Sequence, residues 1–310
     1  MNSNIAENSV SNTFQTIVTK NWDEYALLDS GEGKKLERFG KYVIARPEPQ
    51  AMWSRKVSNK IWQEADAIFT GEDERESGNW RFRGEPLNTW QTSHASVKFF
   101  GRITPFRHVG FFPEQASHWD FVAERLAKIK NAKVLNLFAY TGVASLFALL
   151  AGAKVTHVDA SKKAIEWAKE NQKLSGLENA PIRFFCDDVK KFVAREVRRG
   201  QKYDVILLDP PKFGHGPKNE IWNFFEDLPE LLRLCRQLLA HDEKKFVIVT
   251  SYALRASSVS LHELCAEVFS EMSQRIASGE LMLREENEGR TLPTSHFCRI
   301  DFTKSGSPCG

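Results

Sequence analysis

Apolar and polar positions divide the chain into two parts that differ in their spacing. Between residues 21 and 112 short apolar runs end at turn residues, as in YALL before DSGEG and YVIAR before PEP. Runs of this kind, bounded by Gly, Pro, Asp and Ser, are typical of short strands joined by hairpins. The pattern predicts a β-rich region at residues 21–112. Residues 1–20 are polar and rich in Ser and Asn, and we expect them to form a disordered tail.

From residue 113 to residue 304 apolar runs of strand length alternate with segments of helical spacing. Strands are predicted at KVLNLF, KVTHVD, PIRFFC, YDVILLD and KFVIVTS. Helices are predicted at HWDFVAERLAKIK, GVASLFALLAGA, ASKKAIEWAKENQKLSGL, DDVKKFVAREVRRG, SSVSLHELCAEVFSEM and, with a break at Pro229, NEIWNFFEDLPELLRLCRQLL. Such alternation produces βαβ units with right-handed crossovers, and ELMLRE and SHFCRIDF are expected to close the chain as a hairpin. The expected fold class is α/β: a Rossmann-like, doubly wound sheet with a C-terminal antiparallel hairpin, preceded by a small β-rich N-terminal domain.

The composition is that of a soluble globular protein, with 42% hydrophobic and 27% charged residues and a mean hydropathy of −0.41. No run approaches the roughly 18 apolar residues of a spanning helix, and the N-terminus lacks the basic and apolar regions of a secretory signal. The five cysteines are odd in number and form no CxxC pair, so neither a zinc site nor a disulfide framework is expected. These observations favour a cytoplasmic protein that binds no metal and no membrane.

The net charge of +3 is the balance of 43 Lys and Arg residues against 40 Asp and Glu residues. A protein that captures nucleic acid through broad electrostatic attraction often carries a larger positive excess. The charge therefore neither requires nor excludes RNA or DNA as a partner.

The first strand of the alternating part is followed by a turn with a single glycine, from Phe138 to Gly142. In a doubly wound sheet, ligands bind at the carboxyl ends of the strands, where the strand order reverses. A dinucleotide site needs more glycines, so that the backbone can approach a pyrophosphate. The single glycine therefore favours S-adenosylmethionine over NAD, and a plain turn without a ligand is the alternative.

Acidic residues follow the next two strands. Asp159 ends KVTHVD, where a carboxylate can accept hydrogen bonds from both hydroxyls of a ribose; the alternative is a cap for the next helix, whose expected N-cap is Ser161. Asp187 and Asp188 follow PIRFFC, where a carboxylate can accept from an adenine amino group and the next backbone N–H can reach a ring nitrogen. The alternative for this pair is an interaction with the helix dipole. The joint pattern is more specific than any of its parts.

The fourth strand ends in DPPKF, from Asp209 to Phe213. Two prolines fix φ and remove two backbone donors, which leaves rigid carbonyl groups without local partners. These carbonyls and the Asp209 carboxylate can accept hydrogen bonds from an amino group or ring N–H of a substrate, and Phe213 can stack on a planar base. A rigid turn with a core phenylalanine is the alternative.

Four segments resemble, in order and spacing, the motifs of class I S-adenosylmethionine-dependent methyltransferases: VLNLFAYTG, THVDAS, CDDV and LLDPPKF. More narrowly, they resemble the bacterial large-subunit rRNA methyltransferases with a DPPKF motif, including the cytosine-C5 enzyme. HVGFFPEQ is similar to the segment that precedes the methyltransferase domain in that family. The resemblance is close over residues 108–302 and looser over 21–107. It implies a substrate-binding role for residues 21–112 and an S-adenosylmethionine-dependent methyltransferase domain at residues 113–304.

The resemblance also implies roles for single residues. The turn after the first strand would wrap the methionine part of the cofactor, Asp159 would bind the ribose, and Asp188 would bind the adenine amino group. The residues predicted to bind S-adenosylmethionine are Asn136, Phe138, Ala139, Tyr140, Thr141, Gly142, Asp159, Ala160, Ser161, Asp187, Asp188, Val189 and Asp209. The residues predicted to line the target pocket and act in catalysis are Asp209, Pro210, Pro211, Lys212 and Phe213. Ser251 stands where the cytosine-C5 enzyme has its nucleophilic cysteine, so transfer to a nitrogen, which needs no covalent nucleophile, is favoured.

The leading hypothesis is an S-adenosylmethionine-dependent methyltransferase that acts on a base of RNA, with rRNA as the first choice. Such a base has to be single-stranded or flipped out of its stack. A basic and aromatic RNA surface could be formed by Arg81, Arg83, Lys98, Arg102, Arg107 and His108, with Trp80, Trp90, Phe99 and Phe100, although for any single residue the composition favours the alternative. An ordinary β-rich core with surface charges is the alternative for these residues.

Three further hypotheses stay open at the level of the sequence. The chain could methylate a protein or a small molecule, or it could bind S-adenosylmethionine without catalysis and act as an RNA-binding or assembly factor. A nicotinamide-dependent enzyme is the most remote of the three, because the first turn has one glycine. The oligomeric state is not determined by the sequence.

Overall fold

The computed structural model describes residues 14–20, 22–71, 78–240, 244–252, 256–286 and 289–302. Its strands are β1 (Gln15–Val18), β2 (Tyr25–Gly31), β3 (Lys34–Phe39), β4 (Tyr42–Pro47), β5 (Ala67–Phe69), β6 (Trp80–Phe82), β7 (Trp90–His94), β8 (Val97–Gly101), β9 (Lys133–Leu137), β10 (Lys154–Asp159), β11 (Ile182–Cys186), β12 (Val205–Leu208), β13 (Phe213–His215), β14 (Ile221–Asn223), β15 (Phe246–Ser251), β16 (Ile276–Arg284) and β17 (Thr291–Asp301). Its α-helices are α1 (Asn59–Gln63), α2 (Ala116–Leu126), α3 (Val143–Leu150), α4 (Lys162–Leu174), α5 (Val189–Arg198), α6 (Phe224–Leu238) and α7 (Ser258–Val268). Short 3-10 helices lie at Pro113–Gln115 and Ser270–Arg275.

The largest sheet has eight strands in the order β11-β10-β9-β12-β15-β17-β16-β1. The strands β11, β10, β9, β12 and β15 run parallel, whereas β17 is antiparallel to both β15 and β16. The strand order reverses at β9, because β10 lies on one side of it and β12 on the other. The carboxyl ends of β9 and β12 therefore flank a crevice at the switch point, where ligands bind in such sheets. The α/β fold class with its C-terminal antiparallel hairpin is confirmed.

The central strands are apolar on both faces, as expected for parallel strands covered by helices. All residues of β12 and β15 are buried. Along β12, Val205 belongs to the core on one face of the sheet, together with side chains of α2 and α3. The next residue, Ile206, belongs to the core on the other face, together with side chains of α5, α6 and α7. Burial on both faces gives the strand ends a rigid support.

The N-terminal region contributes a second sheet, in the order β2-β3-β4-β5-β6, and the separate hairpin β7-β8. Its side chains pack into the core that also covers one face of the large sheet. Tyr25 and Phe39 lie in the same cluster of buried residues as Trp119, Val134 and Leu146. The β-rich region thus shares a core with the α/β part. No helix in the described part of the chain is long and apolar enough to cross a membrane.

Two predictions on local structure are wrong in part. Residues 15–18 of the expected tail form β1, because their backbone pairs in parallel with Gly279–Met282 of β16; residues 1–13 lie outside the described residues. The helix α6 continues through Pro229 and begins only at Phe224. It continues because the proline removes a single backbone hydrogen bond, while Leu228 and its buried neighbours anchor the helix to the core.

Candidate functional site

The turn after β9 has an unusual backbone. Phe138 and Tyr140 have φ angles of 54° and 48°, and Gly142 at the start of α3 has a φ of 82°. Residues with side chains rarely adopt positive φ, and such strain is concentrated at functional sites. Two side chains hold the turn: Thr141 donates through Oγ1 to the Gly110 carbonyl at 2.6 Å, and Asn171 donates through Nδ2 to the Thr141 carbonyl at 2.9 Å. The strained turn is therefore tied to the structure on both sides.

Asp159, at the end of β10, holds the same turn. Its Oδ2 accepts the backbone N–H of Tyr140 at 2.8 Å, and its Oδ1 accepts the backbone N–H of Ser161, also at 2.8 Å. Burial raises the pKa of Asp159, and these two hydrogen bonds act in the opposite direction. Ser161 is the N-cap of α4, as predicted, and its side chain accepts the backbone N–H of Ala164. Since a carboxylate oxygen accepts more than one hydrogen bond, Asp159 retains capacity for two hydroxyl donors.

Asp187 and Asp188 follow β11, whose end pairs with the end of β10. Asp187 forms an ion pair with Arg195 at 2.6 Å, and its backbone N–H donates to the Asp159 carbonyl at 3.1 Å. Asp188 is the N-cap of α5 and accepts the backbone N–H of Lys191 through Oδ1. Asp188 thus lies at the N-terminus of α5, where its charge also interacts with the helix dipole, as the alternative interpretation expected. Its Oδ2 has no hydrogen-bond partner among the described residues.

Asp209 follows β12 directly, at the switch point of the sheet. Its Oδ1 is buried and has no hydrogen-bond partner among the described residues. Burial and, to a lesser extent, the negative charge of Glu114 raise the pKa of Asp209 to about 8. A buried carboxyl oxygen without a partner is unfavourable unless a ligand supplies a donor. A strongly shifted carboxyl group in a cleft is also typical of functional sites.

A cleft at the switch point brings together seven of the predicted site residues. They are Asn136, Phe138, Ala139, Tyr140, Thr141, Gly142 and Asp209. Asn136 is buried and donates to Ser145 at 3.0 Å, which fixes the floor of the cleft. The residues of the β10 and β11 ends do not line this cleft; they are connected to it through the hydrogen bond from Tyr140 to Asp159.

The last three residues of the DPPKF motif lie at the surface. Pro210 is buried, but Pro211, Lys212 and Phe213 are exposed, and Phe213 is 57% exposed at the start of the β13-β14 hairpin. The Pro211 carbonyl accepts the indole N–H of Trp222 at 2.7 Å, so this carbonyl is already occupied. The structure therefore separates Asp209, inside the cleft, from an exposed aromatic hairpin beside it.

Part of the cleft wall comes from a segment that precedes the first strand of the α/β part. The wall residues from this segment are Phe111, Phe112, Gln115, His118, Trp119 and Val122. None of them is predicted as a site residue from the sequence, because they lie outside the strand ends where ligands are expected. The available signal was the segment HVGFFPEQ, in which aromatic side chains are followed by two polar residues that are buried in the structure.

The predicted RNA surface is only partly formed. Trp90 and Phe99 are core residues, 7% and 0% exposed, because Trp90 packs against Phe39 and Phe99 packs against Trp119. For these two residues the core alternative is the correct one. Two arginines of the predicted surface are paired: Arg83 with Asp66 at 2.7 Å, and Arg102 with Glu170. Arg81 and Lys98 are exposed, whereas Arg107 and His108 line a separate compartment described below.

No thiol lines the cleft among the described residues. Cys235, Cys265 and Cys298 are buried in the core on the other face of the sheet, and burial raises the pKa of Cys235 well above its usual range. Cys186 is exposed and donates to the Ala160 carbonyl, and burial and nearby carboxylates raise its pKa. In the described part of the chain no group of three His, Cys, Asp or Glu side chains is placed to hold a metal ion.

Comparison with known proteins places this geometry in a family. A family model described as S-adenosylmethionine-dependent methyltransferase matches residues 69–263. A solved structure of an S-adenosylmethionine-dependent methyltransferase from Agrobacterium tumefaciens is 49% identical, covers 94% of both chains and superposes with a TM-score of 0.88. The expected cofactor is thereby confirmed as S-adenosylmethionine.

Similar curated proteins are named for rRNA. Ribosomal RNA large subunit methyltransferase K/L of Shewanella frigidimarina is 31% identical over 231 residues, which are 68% of this chain and 32% of that protein. Ribosomal RNA large subunit methyltransferase I of Aeromonas salmonicida is 36% identical over 146 residues, 46% of this chain and 36% of that protein. The chain thus spans about a third of the length of the curated relatives that it matches. The family match, which extends over more than half of the chain, and the cleft at the switch point lead to one conclusion: the chain belongs to the S-adenosylmethionine-dependent methyltransferases.

Proposed function

We propose that this protein transfers a methyl group from S-adenosylmethionine to a nitrogen atom of an RNA base, and that rRNA is its substrate. The observation that carries the proposal is the buried Oδ1 of Asp209, which has no partner among the described residues and lies in the cleft where β12 ends. A carboxylate at this position can accept an N–H of the target and direct the nitrogen lone pair toward the methyl donor. Such positioning is the main contribution a protein makes to an in-line displacement.

The residues of the cleft fit the cofactor. S-adenosylmethionine supplies an electrophilic methyl group on its sulfonium when it is bound. We propose that the strained turn from Phe138 to Gly142 holds the methionine part, beside the free backbone N–H groups at the start of α3. Asp159 binds the ribose hydroxyls, with Ala160 and Ser161 shaping its loop. Asp188 accepts from the adenine amino group through its free Oδ2, next to Asp187 and Val189.

Transfer to nitrogen, and not to carbon 5 of cytosine, is supported by the side chains at the end of β15. Carbon methylation by covalent attack on a pyrimidine needs a thiolate or a comparably activated nucleophile. Ser251 is fully buried in β15, and the four described cysteines do not line the cleft. A nitrogen of a base has its own lone pair, so it requires an acceptor and correct positioning only.

The substitution Ser251→Ala is expected to leave methyl transfer within about threefold of the wild type, because in the proposed transfer to nitrogen Ser251 is not the nucleophile. Initial rates of label transfer from S-adenosylmethionine to RNA provide the measurement. Loss of activity in Ser251→Ala, together with a covalent complex between wild-type protein and RNA that survives denaturation, would show that the reaction is nucleophilic after all.

The choice of rRNA rests on the names of the relatives and can be tested directly. Large-subunit rRNA from a strain that lacks the gene is expected to accept labelled methyl groups, whereas rRNA from the parent strain is already modified and accepts few. Label that appears in protein or small molecules and survives ribonuclease would identify the alternative substrates. Cofactor binding without turnover on any fraction would identify a non-catalytic RNA-binding or assembly factor.

The organisation of the chain follows from the same proposal. We propose that residues 21–112 bind the substrate and that residues 113–304 form the methyltransferase domain, and that the protein works in the cytoplasm, where rRNA is processed. The exposed Pro211, Lys212 and Phe213 would then contact the RNA next to the cleft, with Phe213 available for stacking on a base.

A further inference from the structure

A second compartment adjoins the cofactor cleft on the side of the β-rich region. It is lined by Lys35 and Arg46 of that region, by His108, and by Glu114 and Tyr252 of the α/β part. Phe112 lines both the compartment and the cleft, so the two spaces share a wall. No predicted cofactor or catalytic residue lies in this compartment.

Glu114 is the exceptional residue of the compartment. Glu114 is only 3% exposed, and its Oε2 has no hydrogen-bond partner among the described residues. Burial raises the pKa of Glu114, while the positive charge of Lys35 acts against this shift. Lys35 itself is paired with Glu48 at 3.2 Å, and Arg46 is paired with Glu37 at 2.7 Å. Lys35 and Arg46 are thus committed to other carboxylates. The Tyr252 hydroxyl and the backbone N–H of Glu114 interact with the Glu114 carboxyl group, but its Oε2 has no donor among the described residues.

Aromatic side chains line the wall that the two spaces share. The rings of Phe112 and Tyr252 lie 5.2 Å apart at an angle of 39°, and the ring of His108 lies 5.0 Å from Phe112. Gln115 donates through Nε2 to the Tyr252 hydroxyl at 3.2 Å, which orients the tyrosine. Burial and the charge of Arg107 hold the pKa of His108 well below its usual range, so its ring is neutral and suited to contact with a base. Flat rings beside an unsatisfied acceptor are typical of a site for a nucleobase with N–H groups.

We propose that Glu114 is the specificity-determining residue of the target site: its free carboxylate oxygen accepts an N–H of a flipped-out nucleobase that enters along Phe112 and Tyr252. The proposal rests on the function proposed above and adds a residue of the base-binding site to it. Arg107, on the same compartment wall, provides a positive charge for the phosphate attached to that base. A base without an N–H donor would leave the buried acceptor unsatisfied and would be rejected.

The first arm of the test measures turnover. The substitution Glu114→Ala is expected to reduce kcat/KM for large-subunit rRNA by about 100-fold or more, because a buried polar group that recognises its ligand discriminates strongly. The affinity for S-adenosylhomocysteine, measured by calorimetry, should stay within about threefold of the wild type. Glu124→Ala is the matched control, since Glu124 is an exposed carboxylate on α2 whose ion-pair partner among the described residues is Lys128, at 2.9 Å. Activity of Glu114→Ala within about threefold of the control would overturn the proposal.

The second arm measures binding without turnover, so that it is informative even if rRNA is not the substrate. Adenosine, guanosine, cytidine and uridine 5′-monophosphates are added with S-adenosylhomocysteine, and their contact with the protein is followed by saturation-transfer NMR. Purine riboside 5′-monophosphate, whose base has no N–H, is the matched control ligand. We expect contact with at least one natural nucleotide in the wild type, at least a fivefold weaker signal for the control ligand, and loss of the signal in Glu114→Ala.

The two arms separate the two proposals. Nucleotide binding that depends on Glu114, in a protein that does not methylate RNA, would overturn the proposed rRNA activity and support the site. If rRNA is methylated and Glu114→Ala does not change the rate, the proposed rRNA activity is supported and the proposed site is overturned. Absence of contact with every nucleotide, or equal contact for purine riboside 5′-monophosphate, would overturn the site.

Discussion

Replacement of Asp209 by alanine is expected to reduce methyl transfer by roughly 10³-fold, which is the range lost when a positioned acid–base group is removed. The carboxyl group lies at the end of β12 with a buried, unpartnered Oδ1, and in the proposed reaction it accepts an N–H of the target base. The affinity for S-adenosylhomocysteine is expected to change by less than about fivefold, because Asp209 acts mainly on the target. Initial rates with rRNA and calorimetry with S-adenosylhomocysteine measure the two quantities.

The variant Asp209→Asn distinguishes the role of the side chain as a hydrogen-bond acceptor from the role of its protonation. Its carboxamide retains one acceptor oxygen but does not titrate, so we expect activity between that of the wild type and that of Asp209→Ala. Since the pKa of Asp209 is raised to about 8, the reactive carboxylate form increases as the pH rises toward that value. Wild-type kcat/KM should therefore rise with pH, reach half of its maximum near pH 8 and level off roughly one pH unit above, and this rise should be absent in Asp209→Asn. Equal pH profiles for the two proteins would contradict the assignment.

The same shift in pKa predicts how stability depends on pH. Between the ordinary pKa of an aspartate and about 8, the folded protein keeps a proton that the unfolded chain has released. The contribution of Asp209 to the free energy of unfolding therefore falls as the pH rises, by about 1.4 kcal/mol per pH unit within that window. Asp209→Asn has no such proton, so it should gain stability relative to the wild type from about pH 5 to about pH 7 in urea unfolding.

Replacement of Asp159 by alanine is expected to weaken cofactor binding by about 100-fold, measured by calorimetry with S-adenosylhomocysteine. Two charge-assisted hydrogen bonds to the ribose would be lost, and about 2.8 kcal/mol corresponds to this change in affinity. Asp159 also accepts the backbone N–H of Tyr140, so the strained turn loses one of its supports. Because both effects act on the cofactor, the Michaelis constant for S-adenosylmethionine should increase more than kcat decreases.

Asp204 provides the matched control for Asp159. Its carboxylate accepts the backbone N–H of Lys133 at 2.7 Å, at the opposite end of the same sheet. Asp204→Ala removes a comparable hydrogen bond to the backbone and is expected to leave cofactor affinity within about twofold of the wild type. A similar loss of affinity in both variants would show that Asp159 acts through general stability and not through contact with the cofactor.

The sequence predicted best what depends on local patterns. Asp159 is the last residue of β10 and Asp209 directly follows β12. A position at the carboxyl end of a parallel strand lies at the ligand-binding edge of the sheet. The N-cap Ser161 is equally local, because capping depends on residues within one helical turn. The hairpin of β16 and β17 was also predicted, since two adjacent apolar runs of strand length near the end of the chain favour pairing with each other.

Other features depend on residues that are far apart in the chain. Trp90 and Phe99 are aromatic residues of the kind found on RNA-binding surfaces. Their positions in the hairpin β7-β8, however, direct their side chains into the core. The strand β1 exists because β16, more than 250 residues later, offers a free edge. Apolar periodicity gives no information on such pairings, because it describes which face of an element is buried and not against which partner.

The sequence by itself determined the order of strands and helices, the family motifs and the acidic residues at the strand ends, because each of these is a local property of the chain. Only the tertiary structure decided how these residues are used. It buried the Oδ1 of Asp209 without a partner among the described residues. It also brought Glu114 and Tyr252, which are distant in sequence, into one compartment beside the cofactor cleft. Burial and the field of neighbouring charges depend on all elements packed around a group, so they exist only once the chain has folded.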